Sequence, residues 1–180
     1  TLIMNIWTIG HSTRSEQEFA QILLAHQISA LVDVRMFPGS RRYPQFNKSE
    51  LAESLAEHSI RYQHEPRLGG RRTPRKDSHN TAWRNAMFRG YADHMETEEF
   101  DAAIKELLEV ARASRVAIMC AESLWWKCHR SLIADYLKAA GHSVLHIIDE
   151  EKTEKHPFTS AALIVKGKLS YRGLFDGGEE

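Results

Sequence analysis

Both cysteines of the chain sit in one short stretch, Cys120-Ala-Glu122-Ser-Leu-Trp-Trp-Lys-Cys128-His129-Arg130, with a carboxylate between them and an imidazole and a guanidinium after the second. A thiol near the start of a helix gains from the helix dipole and from unpaired backbone N–H groups. Adjacent positive charge adds to that effect, and together they lower a thiol pKa and make a nucleophile. Cys128 is placed for this role by the His129-Arg130 pair that follows it. Cys120 leaves an apolar run, Val116-Ala-Ile-Met, where packing competes with chemistry as the reason for a cysteine. Glu122 suits general acid or base work tuned by Arg35 or Arg130, or else an ion pair that holds those arginines.

Counting removes several familiar thiol chemistries. A phosphatase loop needs arginine six residues after its cysteine, and Trp126 stands there. No Cys-x-x-Cys redox motif is present. Cys120, Cys128 and His129, joined by His11 or His146, would complete a tetrahedral zinc set, a metal-binding alternative. The spacing fits no standard zinc module, and neighbouring side chains on a helix diverge, so the leading expectation contains neither metal nor cofactor. Cys128-His129-Arg130 also looks like the acceptor motif of DNA alkylguanine alkyltransferases, with Lys127 where that family has proline.

A second set of residues points to an anionic ligand. Between Arg35 and Tyr91 there are 12 Lys/Arg against 5 Asp/Glu, while the rest of the chain holds 12 against 19, so a net charge of zero conceals a basic middle. Arg35, Arg41 and Arg42 match phosphate oxygens with planar forks. Ser40, Arg71, Arg72, His129 and Arg130 extend the candidate anion-binding set. Phe37, Tyr43 and Phe46 interleave with these arginines, as in surfaces that stack on bases while neutralising phosphates. Consecutive Trp125 and Trp126 cannot both enter one core. Gly69 and Gly70 permit close backbone approach but build neither a Walker loop nor a dinucleotide fingerprint.

The positioning elements follow from pattern. Ile6–Ile9 reads as a strand ending at Gly10-His11-Ser12, then Ser15-x-x-Glu18 caps an amphipathic helix. Ala30–Arg35 reads as a strand buried on both faces. Asn47-x-x-Glu50 caps a second helix, and Ile60–Tyr62 is a short strand candidate. Residues 64–80 form a long basic segment of the kind that is functional or mobile. Helical signals resume at Trp83–Tyr91, and Thr97 caps a helix carrying Phe100, Ile104 and Leu107. The cysteine stretch joins a strand to a helix closed by Gly141, Val144–Ile148 is another strand, and residues 161–171 form either a hairpin or a helix-to-strand tail. The alternation predicts one α/β domain, a Rossmann-like three-layer sandwich whose mostly parallel sheet carries helices on both faces. In such sheets ligands bind beyond the carboxyl ends of the strands. His11, Arg35 and Cys120-Glu122 should therefore meet in one crevice.

Composition is that of an ordinary globular chain, with no apolar run long enough to span a bilayer and no charged-then-apolar leader. That pattern, with only two cysteines, predicts a cytoplasmic location without a membrane partner and without a structural disulfide. With its pieces in order, the chain resembles the bacterial and archaeal family called domain of unknown function 488. The matching segments are Thr8-Ile-Gly-His-Ser12, Leu31-Val-Asp-Val-Arg35 with Pro38 and Ser40-Arg41, Leu68-Gly-Gly70, and Cys120-Ala-Glu122 with Cys128-His129-Arg130. The resemblance implies a compact α/β fold with a pocket built from those segments, and it supplies no reaction. The residues themselves point to an enzyme that binds a phosphate-bearing small molecule or nucleic acid, with Cys120, Glu122, Cys128 and His11 as catalytic candidates. A non-catalytic nucleic-acid-binding module whose cysteines merely pack is the competing class.

Overall fold

The computed structural model describes residues 2–173. Strand β1 spans Asn5–Gly10, β2 Ala30–Asp33, β3 Arg61–His64, β4 Val116–Cys120, β5 Ser143–Ile147 and β6 Thr153–Lys155. They form a sheet in the order β3-β2-β4-β1-β5-β6, parallel throughout except for β6, which runs antiparallel along β5. Helices α1 (Glu16–Ala25), α2 (Lys48–Ala56), α3 (Ala86–His94), α4 (Glu98–Ala113) and α5 (Arg130–Ala139) complete an α/β architecture.

Alternation along the strands divides the core between two faces. Ala117 and Met119 of β4, with Trp7, Ile9 and Leu31, pack against Phe19, Leu23, Leu51 and Leu55 of α1 and α2. Val116, Ile118 and Cys120 point the other way, toward Phe100, Ile104, Leu107, Leu132 and Leu137 of α4 and α5. Each fully buried Leu, Ile or Phe on either face contributes about 1.5–3 kcal/mol. This is the layered arrangement that the strand–helix alternation predicts.

Local signals position the helices. The hydroxyl of Ser15 accepts from Glu18 N at 3.1 Å while Glu18 accepts from Ser15 N, a closed capping box. Thr97 Oγ1 accepts from Phe100 N at 3.2 Å. Asn47 sits at the α2 N-cap, yet its side chain does not cap. It accepts instead from Ser40 N at 2.6 Å and so ties the Pro38–Tyr43 loop to the helix. The basic segment after β3 is also held, because the Asp93 carboxylate of α3 accepts from Arg75 N, Ser78 Oγ and Asn80 Nδ2 at 2.6–2.8 Å. Residues 161–171 resolve as a hairpin of β7 (Leu163–Val165) and β8 (Lys168–Ser170). Edge strand β6 has no counterpart in the sequence reading: three residues, two of them charged, give no apolar alternation.

Candidate active site

The carboxyl ends of β1, β2 and β4 open on a crevice of about 580 Å³. Close backbone approach creates it. His11 N donates to Cys120 O at 2.9 Å and Ser12 N to Ala121 O at 3.0 Å, so the two loops run side by side. A Cβ on Gly10 would lie 1.8 Å from Glu122 O, which explains glycine at that strand end. A Cβ on Gly70 would lie 2.9 Å from His129 Nδ1, so the Gly69-Gly70 turn leaves room for that imidazole.

His11, Arg35, Ser40, Arg71, Cys120, Glu122, Cys128 and His129 all line the crevice. Arg41, Arg42 and Arg72 do not, and Arg130 lies beneath its floor. Arg41 is exposed, Arg42 stacks on Tyr43 with 5.6 Å to the ring centroid, and Arg72 donates to the carbonyls of Pro66 and Gly69. Ser40 serves its own turn by accepting from Tyr43 N at 3.1 Å. Lys127, Phe37 and Met87 join the lining, Phe37 and Met87 largely exposed at its mouth. Phe37 belongs to the aromatics interleaved with the basic loop; Lys127 and Met87 carry no motif, and only the folded loops identify them.

Arg35 is fully engaged. Its Nε and Nη2 donate to the Asp33 carboxylate at 2.9 and 2.7 Å, and Nη2 also donates to Phe46 O at 2.7 Å. Asp33 in turn accepts from the Tyr62 hydroxyl. Its guanidinium is therefore bound to a carboxylate rather than open to an anion. His11 stacks on Phe46 at 4.2 Å and donates from Nδ1 to Ser12 O at 2.8 Å. Its Nε2 then accepts from Arg35 Nη1 at 3.4 Å. Burial, with help from the Arg35 charge, lowers the imidazole pKa to about 4, so His11 is neutral near pH 7. The Glu122 carboxylate accepts from Leu124 N at 3.1 Å, while Arg130 reaches only the Glu122 carbonyl. Neither arginine pairs with that carboxylate.

Arg130 is a different case. It is 1 % exposed and forms no ion pair with a carboxylate among the described residues. Its Nε lies 3.0 Å from Cys120 Sγ and 3.3 Å from Cys128 Sγ, and the two sulfurs are 3.1 Å apart without a disulfide. Burial pushes the Cys128 thiol up, but the hydrogen bond from Cys120 and the Arg130 charge outweigh it and bring the thiol down to about 5. Burial and the same hydrogen bond push Cys120 well above the usual thiol range. The pair therefore holds one proton on Cys120, shared toward a Cys128 thiolate. Arg130 begins α5 and Cys128 precedes the helix, so the α5 N-terminus also faces the sulfur, with Arg130 N 3.4 Å from it.

His129 points away from this cluster. It is in contact with Val34 O at 2.7 Å through Nε2, which carries the proton, and burial lowers its pKa. Nδ1 is left as an acceptor beside Gly70. Among the described residues no group of three or more His, Cys, Asp or Glu side chains converges as a metal site. His146 is turned inward: Thr8 Oγ1, 3.0 Å from Arg130 Nη1, lies 2.6 Å from His146 Nδ1. His146 Nε2 meets His156 Nδ1 at 2.8 Å, and His156 Nε2 meets Asp135 Oδ1 at 2.8 Å. A guanidinium only donates and a carboxylate only accepts. With one proton on each imidazole, every link runs one way, from Arg130 through Thr8, His146 and His156 to Asp135. Trp125 stacks on His146 at 4.4 Å and closes the chain from above, while Trp126 is half exposed outside the crevice.

The fold and the crevice define an α/β domain with a pair of thiols over a buried arginine at the strand carboxyl ends. No helix among the described residues is long and apolar enough to cross a membrane. The chain belongs to the family described as Domain of unknown function DUF488, whose model matches residues 15–137. No curated protein and no solved structure gives a significant match.

Proposed function

We propose that this protein is an enzyme whose nucleophile is the Cys128 thiolate, acting on a phosphate-bearing substrate held in the crevice. One observation carries the reading: a buried guanidinium with sulfur, not carboxylate, as its anionic partner. A buried charge is costly unless compensated, and a thiolate at Cys128 compensates it. The sulfur forms its bond to the electrophilic centre as the bond to the leaving group breaks, the leaving group keeping the electron pair. His129 lines the crevice with Gly70, and its Nδ1, unprotonated beside that glycine, is the candidate general base for a later step.

Arg71 and Lys127 are the cations that line the crevice without an ion pair among the described residues, and they suit the phosphate. Exposed Phe37 at the mouth suits a ring or base attached to it. The competing binding-module class gives the thiolate no task.

The rate of alkylation by iodoacetamide, followed against pH, tests the reading. A midpoint near 5 for Cys128, with protection by phosphate or a mononucleotide, is the expected result. A midpoint in the ordinary thiol range of about 8–9 removes the nucleophile. A low midpoint without protection removes the phosphate-bearing substrate. Nucleic acid affinity that falls with salt and survives Cys128→Ala favours the binding module.

A further inference from the structure

A nucleophilic thiol that only transfers groups has no use for a second thiol in van der Waals reach. Cys120 is 3 % exposed, and its sulfur faces Cys128, Arg130 and the Glu122 carbonyl. A buried thiol so placed can attack one partner, the Cys128 sulfur. The sulfurs need to close from 3.1 Å to a bond of about 2.05 Å. Cys128 lies between a short turn, Trp125–Lys127, and the first residue of α5, where the backbone is extended rather than helical. Cys120 is fixed within β4, so the closure falls to the Cys128 side.

We infer that the crevice also reduces hydroperoxides, with Cys128 as the attacking sulfur and Cys120 as the thiol that resolves it into a Cys120–Cys128 disulfide. The inference rests on the Cys128 nucleophile and not on the phosphate-bearing substrate. The Cys128 thiolate attacks one oxygen of the O–O bond and becomes a sulfenic acid. The other oxygen leaves with the bonding pair and takes a proton, giving water or an alcohol. The Cys120 thiolate, its proton passing to the departing hydroxyl, then displaces water from the sulfenic sulfur and forms the S–S bond. Two electrons have moved from the dithiol to the peroxide. A small-molecule or protein thiol reductant returns them, with two protons, and restores both thiols.

The surroundings favour this oxidant. Arg130 and Cys120 flank the Cys128 sulfur, leaving its crevice side open. An oxygen transferred there needs little space and is expelled again by the neighbouring thiol. Lys127 lines the same side, placed to supply positive charge to a departing alkoxide or hydroxide.

The full reduced chain is treated with one equivalent of hydrogen peroxide and followed by intact mass, thiol titration and peptide mapping. The expected result is loss of two hydrogens, no remaining free thiol, and a Cys120–Cys128 cross-linked peptide within one chain. Cys120→Ser should instead gain one oxygen at Cys128, trapped by a sulfenic-acid reagent, and Cys128→Ser should leave Cys120 unreacted. With excess dithiothreitol, the wild-type chain should consume many equivalents of peroxide, at a rate at least tenfold above Cys128→Ser. Oxidation no faster than in the denatured chain, disulfides between chains only, or consumption that stops at one equivalent each overturns the inference. If alkylation still shows a low Cys128 midpoint in that event, the nucleophile stands and only the redox activity falls. An ordinary midpoint removes both.

Discussion

Arg35 and Arg130 are buried arginines near the carboxyl ends of neighbouring strands, on opposite faces of one sheet, and they end in opposite states. On the α1–α2 side, Asp33 neutralises Arg35 through a two-point contact reinforced by Tyr62. On the α4–α5 side, Arg130 has thiols, a hydroxyl and carbonyls in place of a carboxylate. A carboxylate in two-point contact with a guanidinium makes a lock. A thiol pair beside a guanidinium becomes an anion through the thiol–thiol hydrogen bond and that positive charge, and it remains reactive. The same cation therefore fixes the fold on one face and makes chemistry on the other.

The comparison breaks most visibly if the lock is cut. Asp33→Asn leaves Arg35 charged, buried and without its carboxylate, and the loss of stability is expected to be about 3–5 kcal/mol, measured by urea unfolding. The Cys128 alkylation midpoint should stay where it is. If the midpoint moves upward with Asp33→Asn, the two faces are not separate systems.

Acid should act on both faces through a different route. Burial holds His11 at about 4 against its usual 6.5, and burial also lowers His146. The unfolded chain therefore binds protons below pH 6.5 that the folded chain refuses, so stability falls as pH falls through that window. Cys128, lowered to about 5, contributes stability that is complete above the unfolded thiol value and is lost as pH falls toward 5. Its slope is at most about 1.4 kcal/mol per pH unit. Urea midpoints should rise from pH 4 upward, more steeply below 6.5, and level off near the ordinary thiol value of about 8.5, where the raised Cys120 thiol acts in the opposite sense. In Arg130→Met the rise above pH 6.5 should flatten, and a slope left intact there would assign it to groups other than the thiol.

Arg130→Met also tests reactivity directly. The thiol midpoint should climb toward about 8.5, and the alkylation rate at pH 6 should fall about tenfold, because lower ionisation is partly offset by a more nucleophilic thiolate. Arg130→Lys keeps the charge and should recover part of the loss. Global stability should suffer less than in Asp33→Asn, since a thiol can take up a proton where a carboxylate beside Arg35 cannot be replaced.

How far each face could be read in the sequence follows from the distance between partners along the chain. Asp33 and Arg35 are two residues apart at a strand end, hence on one side of it, and their pairing is a local fact. The meeting of His11, Arg35 and Cys120 needed only the rule that parallel strands deliver their ends to one edge. The partners of Arg130 were not legible, because Thr8 lies 122 residues away and joins it only through the register of β1 with β4 and β5. His146 entered the sequence reading as a possible zinc ligand, whereas its register partner is Thr8 and its ring faces the core. The engagement of Arg72 was not legible either, since backbone carbonyls that occupy a guanidinium leave no trace in residue type.

The smallest expected effect probes the one-way chain behind Arg130. Thr8 both accepts from Arg130 and donates to His146, so Thr8→Val removes a bond at each side and leaves two buried groups short of partners. Arg130 keeps its other contacts, and the guanidinium should tilt rather than leave. The change at the sulfurs should be worth about 1 kcal/mol, read as a rise of less than one pH unit in the Cys128 midpoint. Thr8→Ser retains the hydroxyl and should restore it, whereas a role in packing alone would be better served by valine, which matches threonine in shape. Equal midpoints in Thr8→Val, Thr8→Ser and the parent would mean that the interior histidines and Asp135 hold α5 to the sheet without steering the arginine beneath the thiols.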